Sequence, residues 1–325
     1  VRLALALLGG RCAGDAAGRG LPPLASKVRD LRDKGHHALA RGDAAQAGLI
    51  FDDARRLAES LDDRPGLAGA LNDLGAVAAL QGDYPRAAEL HRRAYGIALE
   101  IGDQALAVEG LSYRGQTAHL MGDHAAALGH YSQALTLSRE IKDRRGEAVV
   151  LNNLGLLQQA RGELDQAEQH FQQALAINTE LNERRAMASN LSNLGALSEK
   201  RGRRVEARGR YEQALALDKE TEARPAIEAD LMTLGRLSEE DNRPEEAMGY
   251  YERAYRGYLA LRHVPRALEA GKRLVRAAGV ALALAFAFPT GSAGSPEQLP
   301  KAPEPVEDVL RLQIFLDAQL FGPGQ

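Results

Sequence analysis

Few side chains in this sequence are spaced for catalysis or for metal binding. The nearest approach to a metal site is the group His119, Asp123 and His124. A metal site needs three or four converging ligands, so we interpret these residues as solvated surface groups. No Ser or Cys lies in a nucleophile motif, and no glycine-rich loop suits a phosphate. The sequence therefore predicts a protein that is not an enzyme and that uses no metal and no cofactor.

The recognition chemistry that remains is supplied by carboxamide side chains. Asn72 and Asn152 are 80 residues apart, and Asn153 and Asn193 are 40 apart. A carboxamide both donates and accepts hydrogen bonds, so a row of them can pair with the backbone of an extended peptide whatever its sequence. The same side chains can instead hydrogen-bond neighbouring helices of their own chain. The sequence leaves both interpretations open.

The composition indicates which elements position these residues. The chain has 325 residues, of which 45% are hydrophobic and 26% charged, as in ordinary soluble proteins. Abundant Ala, Leu, Glu, Gln and Arg favour helix over sheet. The net charge of -3 gives no electrostatic reason to expect nucleic acid as a partner. Because Cys12 is the single cysteine, an internal disulfide and a multi-cysteine zinc site are excluded.

A period of 40 residues runs through most of the chain. Glycine, leucine, alanine and aromatic residues keep constant positions within it, and the glycines define six copies. The glycine column contains Gly35, Gly75, Gly115, Gly155, Gly195 and Gly235, and the column four residues earlier contains Leu31, Leu71, Leu111, Leu151, Leu191 and Leu231. An alanine column contains Ala47, Ala87, Ala127, Ala167, Ala207 and Ala247. The aromatic column contains Phe51, Tyr131, Phe171, Tyr211 and Tyr251, with His91 in the second copy. Small residues permit close helix crossings, and the large ones fill the space between hairpins. Each copy must therefore stack on its neighbours to bury its apolar face.

Each copy contains a turn seven residues after the column glycine. The third copy has Gly122 followed by Asp123, and the last copy has Asn242 followed by Arg243. Gly and Asn tolerate the left-handed conformation that ends a helix, and Asp suits the start of the next helix. Each copy is therefore predicted to be a hairpin of two helices.

These columns resemble the tetratricopeptide repeat. Its pattern of large residue, Leu-Gly, Ala, aromatic and Ala is met in the fourth copy by Leu151, Leu154, Gly155, Ala167, Phe171 and Ala174. The longer period is similar to that of kinesin light chains and spindle-orientation adaptors. The resemblance implies an all-α, right-handed superhelical solenoid of six hairpins over residues 24–263, with a C-terminal capping helix. Arg114 departs from the pattern, since the family usually has Leu at this position.

In a stack of this type, the first helix of each hairpin is expected to line a concave groove. Side chains at helical spacing on its open face form the predicted partner-binding site: Asn72, Ser112, Tyr113, Gln116, His119, Asn152, Asn153, Gln159, Asn193, Glu199 and Arg236. The sequence thus predicts a monomeric module that binds an extended segment of a protein or peptide partner and not nucleic acid. The first alternative is a scaffold that associates with itself through its terminal repeats.

The N-terminal residues 1–23 resemble a secretion signal. Arg2 is followed by the apolar run 3–8, and Cys12 resembles the lipid-attachment cysteine of bacterial lipoproteins, although Arg11 stands where a small residue is usual. Lipidation of Cys12 would provide the chain's one expected attachment to a membrane. The alternative is an incidental thiol.

The C-terminal part divides into three segments. Residues 264–288 are predicted to be a capping helix with an apolar segment, 289–306 a proline-rich linker, and 307–325 a short helical tail. The tail resembles the opening of a bacterial peptidoglycan-binding domain. Together with the N-terminus it predicts a location in the bacterial cell envelope, as a periplasmic protein or an outer-membrane lipoprotein, with the cytoplasm as the alternative. A second functional alternative is the N-terminal arm of a truncated cell-wall enzyme.

Overall fold

A computed structural model describes residues 23–261 and 263–287, and this part of the chain forms thirteen helices and no strand. The first helices of the six hairpins are α1 (Pro23–Ala40), α3 (Arg64–Leu80), α5 (Gln104–Leu120), α7 (Arg144–Arg161), α9 (Arg184–Lys200) and α11 (Arg224–Glu240). The second helices are α2 (Ala44–Ser60), α4 (Tyr84–Glu100), α6 (His124–Glu140), α8 (Leu164–Glu180), α10 (Arg204–Glu220) and α12 (Pro244–Ala260), and α13 (Val264–Ala287) follows them. The predicted all-α class is confirmed.

The helices form two compact units, which divide within α10 at residues 210 and 211. In the first unit, each helix from α1 to α8 packs against the next one along the chain. The first helices α1, α3, α5, α7 and α9 also contact one another in that order. In the second unit, α11 packs against α12, and α12 against α13. This order of packing is that of a tetratricopeptide-type solenoid, as the repeat columns predict.

The repeat columns form the core of each hairpin. All six residues of the alanine column and all six of the aromatic column have no exposed surface, including His91 in the second copy. The glycines of the repeat are required by close contact: a Cβ atom at Gly155 would lie 2.6 Å from Cε1 of Phe171. Because real carbon atoms do not approach so closely, the aromatic ring occupies the space that a larger residue would need.

The turns within the hairpins have the predicted left-handed residue. Gly122 has a φ of 81°, and Asn242, which replaces glycine in the last copy, has a φ of 56°. The carboxylate of Asp123 then accepts a hydrogen bond of 2.9 Å from the backbone N–H of Ala126 and so caps the start of α6.

The joins between consecutive hairpins use the same turn, which the repeat columns did not predict. Asp62, Lys142, Asn182 and Glu222 have φ between 52° and 58°, and Gly102 has 70°. Asp143 follows Lys142 and caps α7 by accepting from Gly146 N at 2.9 Å. The helices therefore begin at intervals of 20 residues from α2 onward, and the period of 40 contains two equivalent helix–turn units.

Arg114, the departure from the repeat pattern, is accommodated by an aromatic ring. Its guanidinium carbon lies 5.1 Å from the ring centroid of Tyr95 on the preceding second helix. A cation over an aromatic face is attracted by the ring's negative charge density. The third hairpin, α5 and α6, consequently forms like its neighbours.

Several sequence predictions concern residues outside the described ranges. These are the secretion signal and lipidation at Cys12, the linker 289–306 and the tail 307–325. Within the described ranges, no helix combines the length and the apolar character needed to cross a bilayer.

Candidate partner-binding surface

The polar face of the first helices in the first unit, from Arg32 on α1 to Glu199 on α9, is here called the first-helix surface. Of the predicted site residues on it, the structure buries Asn72, Ser112, Gln116, Asn152 and Asn153, and leaves Tyr113, His119, Gln159, Asn193 and Glu199 partly exposed. Arg236, the remaining predicted residue, lies on α11 in the second unit and donates to Glu240 on its own helix at 2.5 Å.

An ion pair joins α1 to α3 at the N-terminal end of this surface. Arg32 Nε donates to Asp73 Oδ2 at 2.6 Å, and His36 Nε2 lies 3.0 Å from Asp73 Oδ1. Burial alone would raise the pKa of the Asp73 carboxyl, but Arg32 and His36 outweigh it and hold the pKa at about 2. A Cβ atom at Gly69 would lie 2.3 Å from Arg32 Nη1, so the guanidinium rests directly against α3. The predicted site did not include Arg32 or Asp73. Gly69 could have indicated the contact, because a residue without a side chain leaves room for a group from the neighbouring helix.

Asn72, which precedes Asp73 on α3, connects α3 to α5. Its Nδ2 donates to Glu109 Oε1 at 3.5 Å, and its Oδ1 lies 3.3 Å from Nδ1 of the buried His91. Burial raises the pKa of the Glu109 carboxyl, and the charge of Arg32 offsets part of that rise. No cation among the described residues lies within salt-bridge distance of Glu109.

A second group of side-chain amides connects α7, α8 and α9. Asn178 Nδ2 donates to Asn190 Oδ1 at 2.7 Å, and Asn190 Nδ2 donates to Asn152 Oδ1 at 2.9 Å. Asn193 Nδ2 donates to the same oxygen of Asn152 at 2.8 Å. We call these four residues the asparagine ladder. Asn152 and Asn193 therefore make the inter-helix contacts that the sequence allowed as the alternative to peptide binding.

The amides between these two groups lack such hydrogen bonds. Gln116 on α5 and Asn153 on α7 are each only 6% exposed, and neither side chain makes a hydrogen bond to any residue in the described ranges. The Nε2 atom of Gln159 on α7 is itself buried without a hydrogen-bond partner in that part of the chain, which is unfavourable by about 1–3 kcal/mol. The surface at α5 and α7 thus has unused capacity for hydrogen bonding.

The third hairpin also has an unused hydroxyl. In the sixth hairpin, Tyr251 Oη donates to Glu239 Oε2 at 2.6 Å. The repeat-equivalent pair in the third hairpin is Tyr131 and His119, and Tyr131 Oη is buried with no partner in the described ranges. His119 instead contacts His124 edge-on, with ring centroids 5.5 Å apart.

Tyr113, the aromatic residue among the predicted site residues, packs against the second hairpin. Its ring stacks on the imidazole of His91, with centroids 4.9 Å apart and planes at 8°. This stacking holds the side chain at the junction of α4 and α5. In the described part of the chain, no three His, Cys, Asp or Glu side chains are grouped to bind a metal ion.

The fold and this surface define the class of protein: a helical-hairpin repeat protein with a polar face on its first helices. The sequence profile of the tetratricopeptide repeat matches residues 31–100, 106–180 and 186–260, and the chain belongs to this family. No individually curated protein matches the sequence.

Solved structures with the same fold share little sequence identity with this chain. BtubC from P. vanneervenii is 19% identical with a TM-score of 0.53, and the match covers 87% of this chain and 100% of that one. A Rap protein complexed with Competence and Sporulation Factor is 17% identical, with a TM-score of 0.58 over 89% of this chain and 82% of that one. NprR in complex with its cognate peptide NprX is 12% identical, with a TM-score of 0.54 over 94% and 85%.

Proposed function

We propose that this protein binds an extended segment of a partner protein along the first-helix surface, with the amides of Gln116 and Asn153 at the centre of the contact. The observation that carries the proposal is that both residues are only 6% exposed, yet their side chains make no hydrogen bond within the described ranges. An extended backbone presents alternating N–H and C=O groups, which are the complement of a carboxamide.

The energetics favour a bound backbone at this position. The Nε2 atom of Gln159, which is buried without a partner in the described ranges, raises the free energy of the unbound protein by about 1–3 kcal/mol, and a ligand that supplies the missing hydrogen bond removes that penalty. The asparagine ladder next to these residues fixes α7 and α9, so the site is organised before the ligand arrives.

The fold is typically that of a non-catalytic interaction scaffold, and a structural relative supports binding of a peptide. NprR has this fold and was solved with its cognate peptide. We extend this kind of binding, and not the peptide itself, to the present chain. Among the predicted residues, Ser112 and Gln159 lie on the same helices as Gln116 and Asn153, and we include them in the proposed site. Asn193, on the next first helix, belongs to the asparagine ladder.

A library of displayed nine-residue peptides tests the proposal on the full chain. We expect the unmodified protein to select peptides, and Gln116→Ala and Asn153→Ala each to weaken the selected peptides roughly 3- to 10-fold, as loss of one hydrogen bond implies. Gln173→Ala, on the exposed side of α8, is the matched control and should change binding less than two-fold.

Either of two results would contradict the proposal. Either no peptide is selected, or both amide variants bind selected peptides as the control does. Concentration-dependent oligomers in sedimentation, combined with no selected peptide, would favour the self-associating scaffold instead.

We also propose the bacterial cell envelope as the location of this protein. The support is the apolar run 3–8, Cys12 and the tail 307–325, all of which lie outside the described residues. Fractionation of cells that express the chain with Cys12 or with Cys12→Ser tests this. Loss of membrane association in the variant supports lipidation, and identical fractions contradict it.

A further inference from the structure

We infer that the part of the first-helix surface formed by α1, α3 and α5 selects a cationic group on the bound segment, and that Glu109 is the residue that binds it. The cationic group is a lysine or arginine side chain or a free amino terminus. This inference rests on the proposed function and specifies the chemistry of the partner.

The other carboxylate of this region is already neutralised. Asp73 is 1% exposed, and its two oxygens contact Arg32 at 2.6 Å and His36 at 3.0 Å. Gly69 permits this arrangement, because any larger side chain would displace the Arg32 guanidinium from α3. Arg32 is therefore held as the partner of Asp73.

Glu109 forms no salt bridge with any of the described residues, although Arg32 and His36 act on its charge from farther away. Its one hydrogen bond in the described part of the chain is the 3.5 Å contact from Asn72, which is at the long limit for such a bond. The group thus contains two carboxylates, Asp73 and Glu109, and one permanent cation, Arg32. Burial raises the pKa of Glu109, and the negative charge of Asp73 adds to the rise, so that Arg32, Asn72 and His36 offset only part of it. A cation from a ligand would supply that partner.

A second side chain with unused hydrogen-bonding groups lies on the same helix face. Gln116 is seven residues after Glu109, so the two side chains lie on one face of α5, two turns apart. Gln116 is only 6% exposed, and its side chain makes no hydrogen bond in the described ranges. Seven residues of helix span roughly 10 Å, which corresponds to about three residues of an extended chain. We therefore expect the cationic group about three positions from the peptide unit that Gln116 contacts.

Two peptide libraries distinguish the sources of the cation. In the first, every peptide has an acetylated N-terminus and an amidated C-terminus, so that a selected positive charge must be a side chain. In the second, the N-terminus is free. The unmodified full chain is expected to enrich Lys or Arg at one position of the first library, or to bind only members of the second if the amino terminus is recognised.

Substitution at Glu109 tests the residue directly. We expect Glu109→Gln to weaken the selected peptide roughly 10-fold or more, as for a lost charged hydrogen bond, and to abolish the preference for a cation. Glu109→Lys should select Asp or Glu at the same position. Glu140→Gln, at the exposed end of α6, is the matched control and should preserve the preference. Circular dichroism and thermal midpoints establish that each variant is folded.

The outcomes separate this inference from the proposed function. Selected peptides that are weakened by Gln116→Ala but show no preference for a cation, or keep it in Glu109→Gln, overturn the inference and leave the proposed function intact. No selected peptide in either library overturns the proposed function and, with it, the inference.

Discussion

Asn190 Nδ2 donates a hydrogen bond of 2.9 Å to Asn152 Oδ1, although the two residues are 38 positions apart and lie on different hairpins. The same oxygen accepts from Asn193, and Asn190 accepts from Asn178 on the intervening second helix. This ladder divides the amides of the first-helix surface into two kinds. Some of them connect helices, and others, such as Asn153, have no partner in the described ranges.

Asn190→Ala should therefore destabilise the fold. The change removes the central residue of the ladder, leaves the Nδ2 group of the buried Asn178 without its acceptor and removes one of the two hydrogen bonds to Asn152 Oδ1, which costs roughly 2 kcal/mol of unfolding free energy. Asn153→Ala is the comparison, because it breaks no hydrogen bond and should cost less than half as much. Urea unfolding measures both. Equal losses in the two variants would contradict the assigned role of the ladder.

Two glycines of the third hairpin should respond in opposite directions to alanine. Gly122 has a φ of 81°, and a Cβ atom there would meet nothing within 4 Å, so Gly122→Ala should lower stability by about 1 kcal/mol through backbone conformation alone. Gly129 lies inside α6 in open space, and Gly129→Ala should raise stability by roughly 0.5–1 kcal/mol. Thermal unfolding of both variants decides the matter, and a shift of the same sign in both would be inconsistent with the turn geometry.

His91 should make the fold sensitive to acid. Burial lowers the pKa of its imidazole to about 3, although the charge of Asp73 acts in the opposite direction. The pKa of histidine in the unfolded chain is about 6.5. The contribution of the neutral imidazole to the free energy of unfolding is therefore complete above pH 6.5 and is lost as the pH falls toward 3. His91→Phe keeps the aromatic column and removes this loss.

At pH 4.5 the His91→Phe variant should gain roughly 2–3 kcal/mol relative to its own difference from the original protein at pH 7. Chemical unfolding at the two pH values measures this gain. His37→Asn, at an exposed position of α1, serves as the control and should not alter the dependence. An unchanged acid dependence in His91→Phe would argue against a neutral, buried imidazole.

Glu228 should give the second unit the opposite dependence on pH. Burial raises the pKa of its carboxyl to about 7, against the charges of Arg253 and Arg224, and Oε2 is buried without a partner in the described ranges. With a folded pKa above the ordinary 4.5, the contribution to stability is complete below pH 4.5 and is lost as the pH rises through 7.

Glu228→Gln should flatten this dependence. The variant is expected to gain roughly 3 kcal/mol at pH 8 relative to its own difference from the original protein at pH 4.5, as a shift of this size implies. Unfolding by urea at the two values measures it, with the exposed Glu212→Gln as the control. If both variants keep the original dependence, Glu228 is not the group responsible.

The sequence was sufficient to predict the repeats and their core. Columns such as Gly155 and Phe171 recur at a constant interval because each hairpin repeats the same close contact, and the structure confirms that contact. The joins between hairpins were not predicted, because Lys142 and Glu222 occupy a left-handed position that sequence rules assign to Gly or Asn. The aspartates that follow several joins, such as Asp143, could have indicated these turns, because Asp is favoured at the start of a helix.

The polar contacts of the surface were less predictable. The spacing placed Asn152 and Gln116 on the open face of first helices, but it could not show which amide is satisfied by a neighbour. That depends on residues one repeat away, such as Asn190, whose positions in the repeat differ from those of their partners. Likewise, the spacing could not show that Arg32 pairs with Asp73, which is 41 positions away.

The most direct test of the central proposal is to observe the amides themselves. Selective ¹⁵N labelling of Asn and Gln gives NMR signals for the side-chain NH₂ groups of Gln116 and Asn153, which substitution variants assign. On titration with a peptide selected from the library, we predict that both signals shift and that their exchange with solvent slows, while Gln173 on α8 is unaffected. Unchanged signals from Gln116 and Asn153 at a saturating concentration of bound peptide would contradict the proposal that these amides grip the partner.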